Sequence, residues 1–568
     1  MQIEEYRIRV GDEVMLHAMI SPNSSLPRRV RTVLSGAILA IMMVSAAVAG
    51  PFHRGDRGRE APKIDRPGKI RQEVSEAASE QPATALRVIV TYRYQPGQLQ
   101  EDRIGRQGGK VGRDLRLIRG RVALVAPRAL EELASDPMVE SVSLDHPVGA
   151  AMDVARTVSG MPGPLFDPYL TSSDLTGAGV TVAVIDSGYK SHPDLKNQVL
   201  EDLSLIEGEK KAHDKFGHGN HVAGVIAGDG DKSDGRYRGL APGASIVSLR
   251  VLDDDGMGFT SDVIAALEWV LENRDEYGIR VVNLSLGHPV YQYAEDDPLV
   301  QAVEAVWDAG VVVVCSAGNR GRDGYFTINS PGNSPKVITV GSLTDWNTID
   351  TSDDTVSTFS SRGPTPFDHR LKPDLVAPGN RIIASRAKGS YIEKKHPHRK
   401  FDERGEKIKE YVFLSGSSMA TAVVSAAVAL MLEDDPTLNP DSVKARLMVS
   451  ARKGPGVNPL ERGAGSLDLQ AALELDLLAG SAPSPRIYRS ETEGEFEVES
   501  YLALWGDLAL WGDLALWGDL ALWGDLALWG DLALWGDLAL WGDLALWGDL
   551  ALWGDADGVE SSMIPEDD

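Results

Sequence analysis

Three short runs in this 568-residue chain carry side chains whose types could do chemistry together. Asp186 lies in Val182 to Gly188 (VAVIDSG), His218 opens His218 to Gly224 (HGNHVAG), and Ser418 lies in Ser415 to Thr421 (SGSSMAT). A serine hydroxyl is a weak nucleophile at neutral pH. It needs an imidazole to take its proton and a carboxylate to fix the tautomer of that imidazole. Ser418, His218 and Asp186 supply those groups, with Ser417 a competing hydroxyl on residue type alone. A second histidine, His221, stands at a spacing that suits metal ligation, but no glutamate or cysteine accompanies it, so it reads as a structural histidine.

Reactive groups need a frame. From about Gly177 to Leu475, apolar runs at Val180 to Ile185, Ser245 to Val251, Arg280 to Leu286, Val311 to Ser316 and Val337 to Val340 lack the alternation of a half-exposed sheet. They read as strands buried on both faces. Helical segments such as Ser261 to Asn273 and Pro298 to Asp308 fall between them, predicting an α/β fold with a doubly wound parallel sheet. In that architecture sites gather at the carboxyl ends of strands. Asp186 follows the first run and Asn319 follows Val311 to Cys315. Ser418 falls at the start of a helix over Met419 to Leu432, where free amides and the helix dipole favour negative charge.

Beyond their reactive residues, the three runs resemble the motifs of the subtilisin-like serine peptidases, and Asp, His, Ser is that family's chain order. The family pattern Gly-Thr-Ser-Met-Ala sets Ser417 on the Thr position and Ser418 on the nucleophile. Phe359 to Pro364 (FSSRGP) and Lys372 to Gly379 (KPDLVAPG) resemble its scaffold motifs. The resemblance implies a secreted endopeptidase forming an acyl-enzyme on Ser418, with protein or peptide substrates. Asn319 matches the oxyanion asparagine and pairs with the Ser418 amide. The loss of one such donor costs on the order of 3 kcal/mol, a magnitude that comes from this same family. Ser285, Leu286 and Gly287 resemble the strand that pairs with substrate, and Ser316, Ala317 and Gly318 form the opposite wall. Both walls are small-residue segments, which predicts a roomy, apolar pocket. No cofactor is required for catalysis, and a structural calcium is an expectation without an assigned site. The chain departs from the family at Asn220, where Thr is usual, at Ala422-Val423 for Pro-His, and at Ala426 for Gly. The opposing reading is a catalytically silent, protease-shaped surface protein acting through its tail.

The remaining chain divides by composition. Arg28, Arg29 and Arg31, the apolar stretch Val33 to Val48 and Ala47-Val48-Ala49 make residues 1–49 a signal-peptide region. This implies export to the medium or cell surface, the alternative being an uncleaved anchor. Residues 50–84 read as a solvated linker. Within 85–149, strand-like Leu86 to Tyr92, Gly120 to Val125 and Val139 to Leu144, with a helix over Pro127 to Ala134, suggest a small α+β domain. Its length and the closing VESVSLDHPV resemble the family's propeptide, an intramolecular inhibitor. The catalytic segment spans 150–476, with a charged insertion from Arg386 to Glu410 that reads as a surface loop. An acidic linker (477–501) leads to nine LALWGD repeats (502–555) and an acidic terminus (556–568). A six-residue period is even, so as a strand each residue type would keep its face, which favours a β-solenoid or stacked hairpins over a helix. Residues 490–568 carry 19 acidic and no basic residues of a formal net charge of -26. That balance argues against nucleic acid as a partner and raises tail-mediated self-association or docking on the basic insertion. The single cysteine, Cys315, excludes an intrachain disulfide and reads as a core thiol.

Overall fold

The computed structural model describes residues 3–10, 13–20, 68–151, 175–346, 348, 351–400, 410–453, 458–489 and 496–498. The signal stretch Val33 to Val48, residues 490–495 and 499–501 of the acidic linker, and all nine repeats lie outside the described residues. By itself, the N-terminal unit holds an antiparallel hairpin, β1 (Ile3–Val10) and β2 (Glu13–Ile20), in which Ile3 faces Ile20.

The second unit begins with an α+β subdomain: α1 (Gln72–Glu80), β3 (Leu86–Tyr92), α2 (Gln98–Arg106), β4 (Lys110–Leu115), β5 (Gly120–Val125), α3 (Leu130–Ala134) and β6 (Val139–Leu144). Its antiparallel sheet runs β4-β5-β3-β6. Strand alternation splits the apolar residues between two faces. Val88 and Val90 join Val74, Ile104 and Leu130 in a local core, whereas Ile89, Leu115, Ile118 and Val122 belong to the main hydrophobic cluster of the chain. The segment read as linker is folded from Lys69 onward: Val74, Ala77 and Ala78 share one helical face of α1 and pack on the sheet. Sequence reading also passed over α2 and β4, because α2 buries only Gln100 and Ile104, and β4 is half exposed.

Next come β7 (Pro147–Ala150), β8 (Thr181–Asp186), β9 (Val199–Ser204), α4 (Gly219–Ala227), β10 (Ser245–Arg250), β11 (Met257–Phe259), α5 (Thr260–Tyr277), β12 (Ile279–Leu284), β13 (Leu286–Pro289), α6 (Pro298–Asp308) and β14 (Val312–Ser316). These are followed by β15 (Asn329–Ser330), β16 (Ile338–Thr344), β17 (Thr355–Val356), β18 (Leu375–Pro378), β19 (Ile382–Ser385), α7 (Tyr391–Lys395), β20 (Tyr411–Leu414), α8 (Ser417–Asp434) and α9 (Pro440–Ser450). The main sheet runs β17-β16-β14-β12-β8-β10-β9, with β18 also on β16, and every pairing but β16 with β17 is parallel. All residues of β8 and β14 are buried, which requires cover on both faces. Helices α5 and α6 pack together, as do α4 and α8, and both pairs lie on the sheet. Helix α8 is apolar around its whole circumference and buried from Ser417 to Leu432, as a helix inside a core must be. Cys315 is fully buried, and burial pushes its thiol well above the ordinary range.

The KPD motif has a structural task. Lys372 Nζ bonds Asp374 Oδ2 at 2.6 Å, and Lys444 Nζ of α9 lies 3.3 Å from Asp374 Oδ1, all three side chains being inaccessible to solvent. Removing the carboxylate leaves two buried cations without their anion. Asp374→Asn is therefore expected to lower stability by about 3–5 kcal/mol, read as a leftward shift of the urea unfolding midpoint.

Candidate active site

Asp186 is the last residue of β8 and His218 directly precedes α4, which brings them together at the carboxyl edge of the sheet. His218 Nδ1 lies 2.8 Å from Asp186 Oδ1 and 2.9 Å from Oδ2, and both residues are fully buried. Bonded to a carboxylate, Nδ1 carries the proton and Nε2 is left as an acceptor. His218 Nε2 is buried and has no hydrogen-bond partner.

Ser418, in the first turn of α8, does not bond to that nitrogen. Its Oγ lies 2.6 Å from the carbonyl oxygen of Ala151 and 3.0 Å from that of Ser285, sharing its one proton between them, and its backbone amide points at the same Ala151 oxygen at 3.4 Å. The reason is that the cleft is filled by the chain's own segment. Strand β7 runs antiparallel between β11 and β13, with Gly149 opposite Met257 on one side and Gly287 on the other. Ala150 faces Leu286, and the Ala151 amide donates to Ser285 O at 3.0 Å. Val148 is fully buried and joins the main cluster. An extended peptide inserted as a strand between two others is how a peptide would lie in such a groove.

Asn319 is oriented without ambiguity. Its Oδ1 accepts from the Ser417 amide at 2.9 Å, so the carboxamide must turn Nδ2 the other way, and Nδ2 is buried without a partner. Ser417 Oγ accepts from the Gly318 amide at 3.2 Å, which makes Ser417 a brace between α8 and the 316–318 wall. Ser316 ends β14, with Ala317 and Gly318 just after it, and this segment meets Ser285 to Gly287: Ser316 Oγ lies 3.4 Å from Leu286 O. A polar residue approaches both segments: Asn329 of β15 donates its backbone N–H to Ala317 O at 3.0 Å. A Cβ on Gly318, whose φ is +105°, would lie 2.9 Å from the Asn329 carboxamide.

Several supporting residues escaped the sequence reading. Asp214 accepts from the Gly217 amide (2.6 Å), the Asn220 amide (2.9 Å) and Ser187 Oγ (3.0 Å), tying the loop before His218 to the end of β8. Burial, with Asp186 adding repulsion against these hydrogen bonds, raises its carboxyl to about 6. Asn220, the departure from the family pattern, grips Lys190 through its N–H (2.6 Å) and its carbonyl (2.9 Å), so the Asn has its own positioning role. A buried polar chain links Ser425 to Asn283, Asn283 to Ser285 and Ser285 Oγ to the Ser418 carbonyl, each step within 2.9–3.0 Å. Two of these three steps join positions over a hundred residues apart, and no local pattern marks them. His221 bonds Ile382 O through Nε2 at 3.0 Å, and burial, then nearby His218, pulls it to about 3, consistent with a neutral structural histidine. Among the described residues no three His, Cys, Asp or Glu side chains gather as a metal cluster, so no calcium ligands are assigned.

The charged insertion is partly folded. Tyr391 and Ile392 of α7 pair through their amides with Lys215 O and Phe216 O, and the Tyr391 ring stacks on Phe216 at 5.8 Å. Its residues 401–409 lie outside the described residues.

Residues 177–466 match the Peptidase S8 family, described as the subtilase family. Over 354 residues the chain is 39% identical to the serine protease AprX of Bacillus subtilis (strain 168), covering 61% of this chain and 77% of that protein. It is 32% identical over 378 residues to subtilisin E of the same organism, covering 66% and 86%. Among solved structures, fervidolysin from Fervidobacterium pennivorans, a keratinolytic enzyme related to subtilisin, superposes with a TM-score of 0.55 at 23% identity, covering 72% of this chain and 62% of that one. A family match over half the chain, a parallel α/β sheet, an Asp-bound histidine and a serine at a helix start lead to one conclusion: this chain belongs to the subtilases, the subtilisin-like serine endopeptidases.

Proposed function

We propose that this chain is an exported endopeptidase that hydrolyses peptide bonds through an acyl-enzyme on Ser418, and that residues 68–151 are its inhibitory propeptide. The observation that carries the reading is that Ser418 Oγ and the Ser418 amide both meet the carbonyl of Ala151, while Asp186 holds His218 Nδ1. Attack of Oγ on a carbonyl carbon sends the serine proton to His218 Nε2, and Asp186 stabilises the imidazolium. The oxyanion takes hydrogen bonds from Asn319 Nδ2 and the Ser418 amide. Collapse breaks the C–N bond as His218 returns the proton to the leaving amine, and water, deprotonated by the same imidazole, releases the acid. Only side chains, backbone amides and water take part. On this reading Ala151–Met152 is the first bond cut. Arg28 to Ala49 supports export, and the acidic tail is read as a self-association or tethering element. Arg386 and Lys400 of the insertion already pair with Glu393 at 2.7 Å, leaving less basic charge for the tail to meet. Deleting residues 501–568 should alter association state or salt sensitivity if the tail has that role. The peptidase reading is tested with a fluorophosphonate. One equivalent should attach to Ser418 and stop hydrolysis of a denatured protein substrate, and labelling elsewhere, with hydrolysis intact, would end it.

The propeptide contact also predicts a pH effect. His146, just before β7, stacks on Tyr291 at 4.1 Å and lies 5.1 Å from His288. Burial, then the charge of His288, pulls it from 6.5 to about 3. Once undocked and solvated, it would titrate near its ordinary value. Between those values the undocked state binds a proton that the docked state refuses. Docking through this group is therefore intact above 6.5 and weakens as pH falls, toward a limit of about tenfold per pH unit. The lag before activity is expected to shorten between pH 6.5 and 4.5, and His146→Phe should flatten that dependence. Comparing the two chains separates His146 from Glu73, which burial raises to about 7.

A further inference from the structure

We infer that Asn329 closes the pocket for the residue preceding the scissile bond, so that this enzyme cuts after small residues such as alanine and discriminates against large apolar ones. The inference rests on the peptidase reading and deepens it by naming the substrate class. Three observations support it. First, the residue lying at Ser418 is Ala151, which is held by its amide on Ser285 O and by its carbonyl at the Ser418 Oγ and amide. Second, the two flanking walls are bridged by one side chain. Asn329 bonds Ala317 O through its backbone, its Cβ lies 3.4 Å from where a Gly287 Cβ would stand, and its carboxamide lies 2.9 Å from a Gly318 Cβ. Third, Asn329 Oδ1 is buried and unpartnered. An aromatic or long aliphatic side chain entering there would meet a carboxamide and deepen the desolvation of an oxygen already without a hydrogen bond. A methyl side chain stops short of it.

Steric exclusion of this kind changes substrate choice more than catalytic power, since Asn329 touches neither Ser418 nor His218 in any contact described above. The test uses the mature enzyme that the full chain yields, with active sites counted by fluorophosphonate titration. Its substrates are two anilides that copy residues 148–151 and differ only at the last position, acyl-Val-Gly-Ala-Ala-p-nitroanilide and acyl-Val-Gly-Ala-Phe-p-nitroanilide. The wild type is expected to prefer Ala to Phe in kcat/KM by tenfold or more, and Asn329→Gly to raise Phe relative to Ala by about 10–100-fold. Asn329→Ala, which keeps a Cβ and needs no special backbone, should move the ratio in the same direction and carries the test if the glycine variant yields no titratable sites. A wild type that prefers Phe, or a ratio unmoved in the variants, overturns the assignment while leaving the peptidase reading intact. If neither anilide is cut and no serine titrates, the peptidase reading itself fails and takes this inference with it.

Discussion

Expressed from its full sequence, the wild type is expected to yield a large fragment beginning at Met152, whereas Ser418→Ala remains uncut at that bond. The expectation comes from the occupant of the cleft: strand β7 is hydrogen-bonded on both edges, and its last carbonyl stands at the serine. Replacing Oγ by hydrogen removes the nucleophile and leaves the buried network intact, because Ser285 Oγ bonds the Ser418 carbonyl rather than its side chain. The loss in cleavage rate should approach a million-fold, the size known for this family's nucleophile. Intact mass and N-terminal sequencing read the result. A Ser418→Ala chain cut at Ala151–Met152 as fast as the wild type would show that another protease does the work.

Asp186→Asn carries the second largest effect. Both oxygens of Asp186 lie within 2.9 Å of His218 Nδ1, so the present carboxylate can only accept, and it fixes the proton on Nδ1. A carboxamide can turn its NH2 toward the ring and favour the other tautomer, with Nε2 protonated and unable to take the serine proton. The cost should be about ten-thousand-fold in kcat. KM for a peptide anilide should change little, because Asp186 is fully buried and its carboxylate bonds only His218 and the Ser187 amide among the described contacts. A loss below about tenfold would mean that His218 keeps its tautomer by other contacts, and the assigned role of Asp186 would fall.

The reactive groups were legible because each sits in a short run of fixed composition, and the sheet because β8, β10, β12 and β14 are apolar without interruption. The helix start at Ser417 likewise follows from Ser-Met-Ala entering a stretch free of Gly and Pro. What stayed hidden is of another kind. Strand β7 is four residues, Pro-Val-Gly-Ala, with no alternation to announce it; its two partners are contributed by β11 and β13, more than a hundred residues away. Helix α1 was masked by charged neighbours, although Val74, Ala77 and Ala78 already had helical spacing. Asn329 lies in the two-residue strand β15, too short for its composition to hint that it would approach both Gly287 and Gly318. Reading the two wall segments alone therefore left this polar neighbour out. Asp214 offered a faint signal, an acidic residue four positions before His218 in a glycine-rich loop, but its task depends on amides that only the folded turn brings together.

The outer face of the β3 to β6 sheet shares one hydrophobic cluster with the main domain through Ile89, Leu115, Ile118 and Val122. If residues 68–151 are the proposed propeptide, severing the bond after β7 leaves that shared surface untouched, so a nicked molecule should stay silent until the severed piece diffuses off or is digested. Each molecule that escapes would then destroy the plugs of its neighbours. A population should therefore switch on late and all at once, with a delay that shrinks as more enzyme is present.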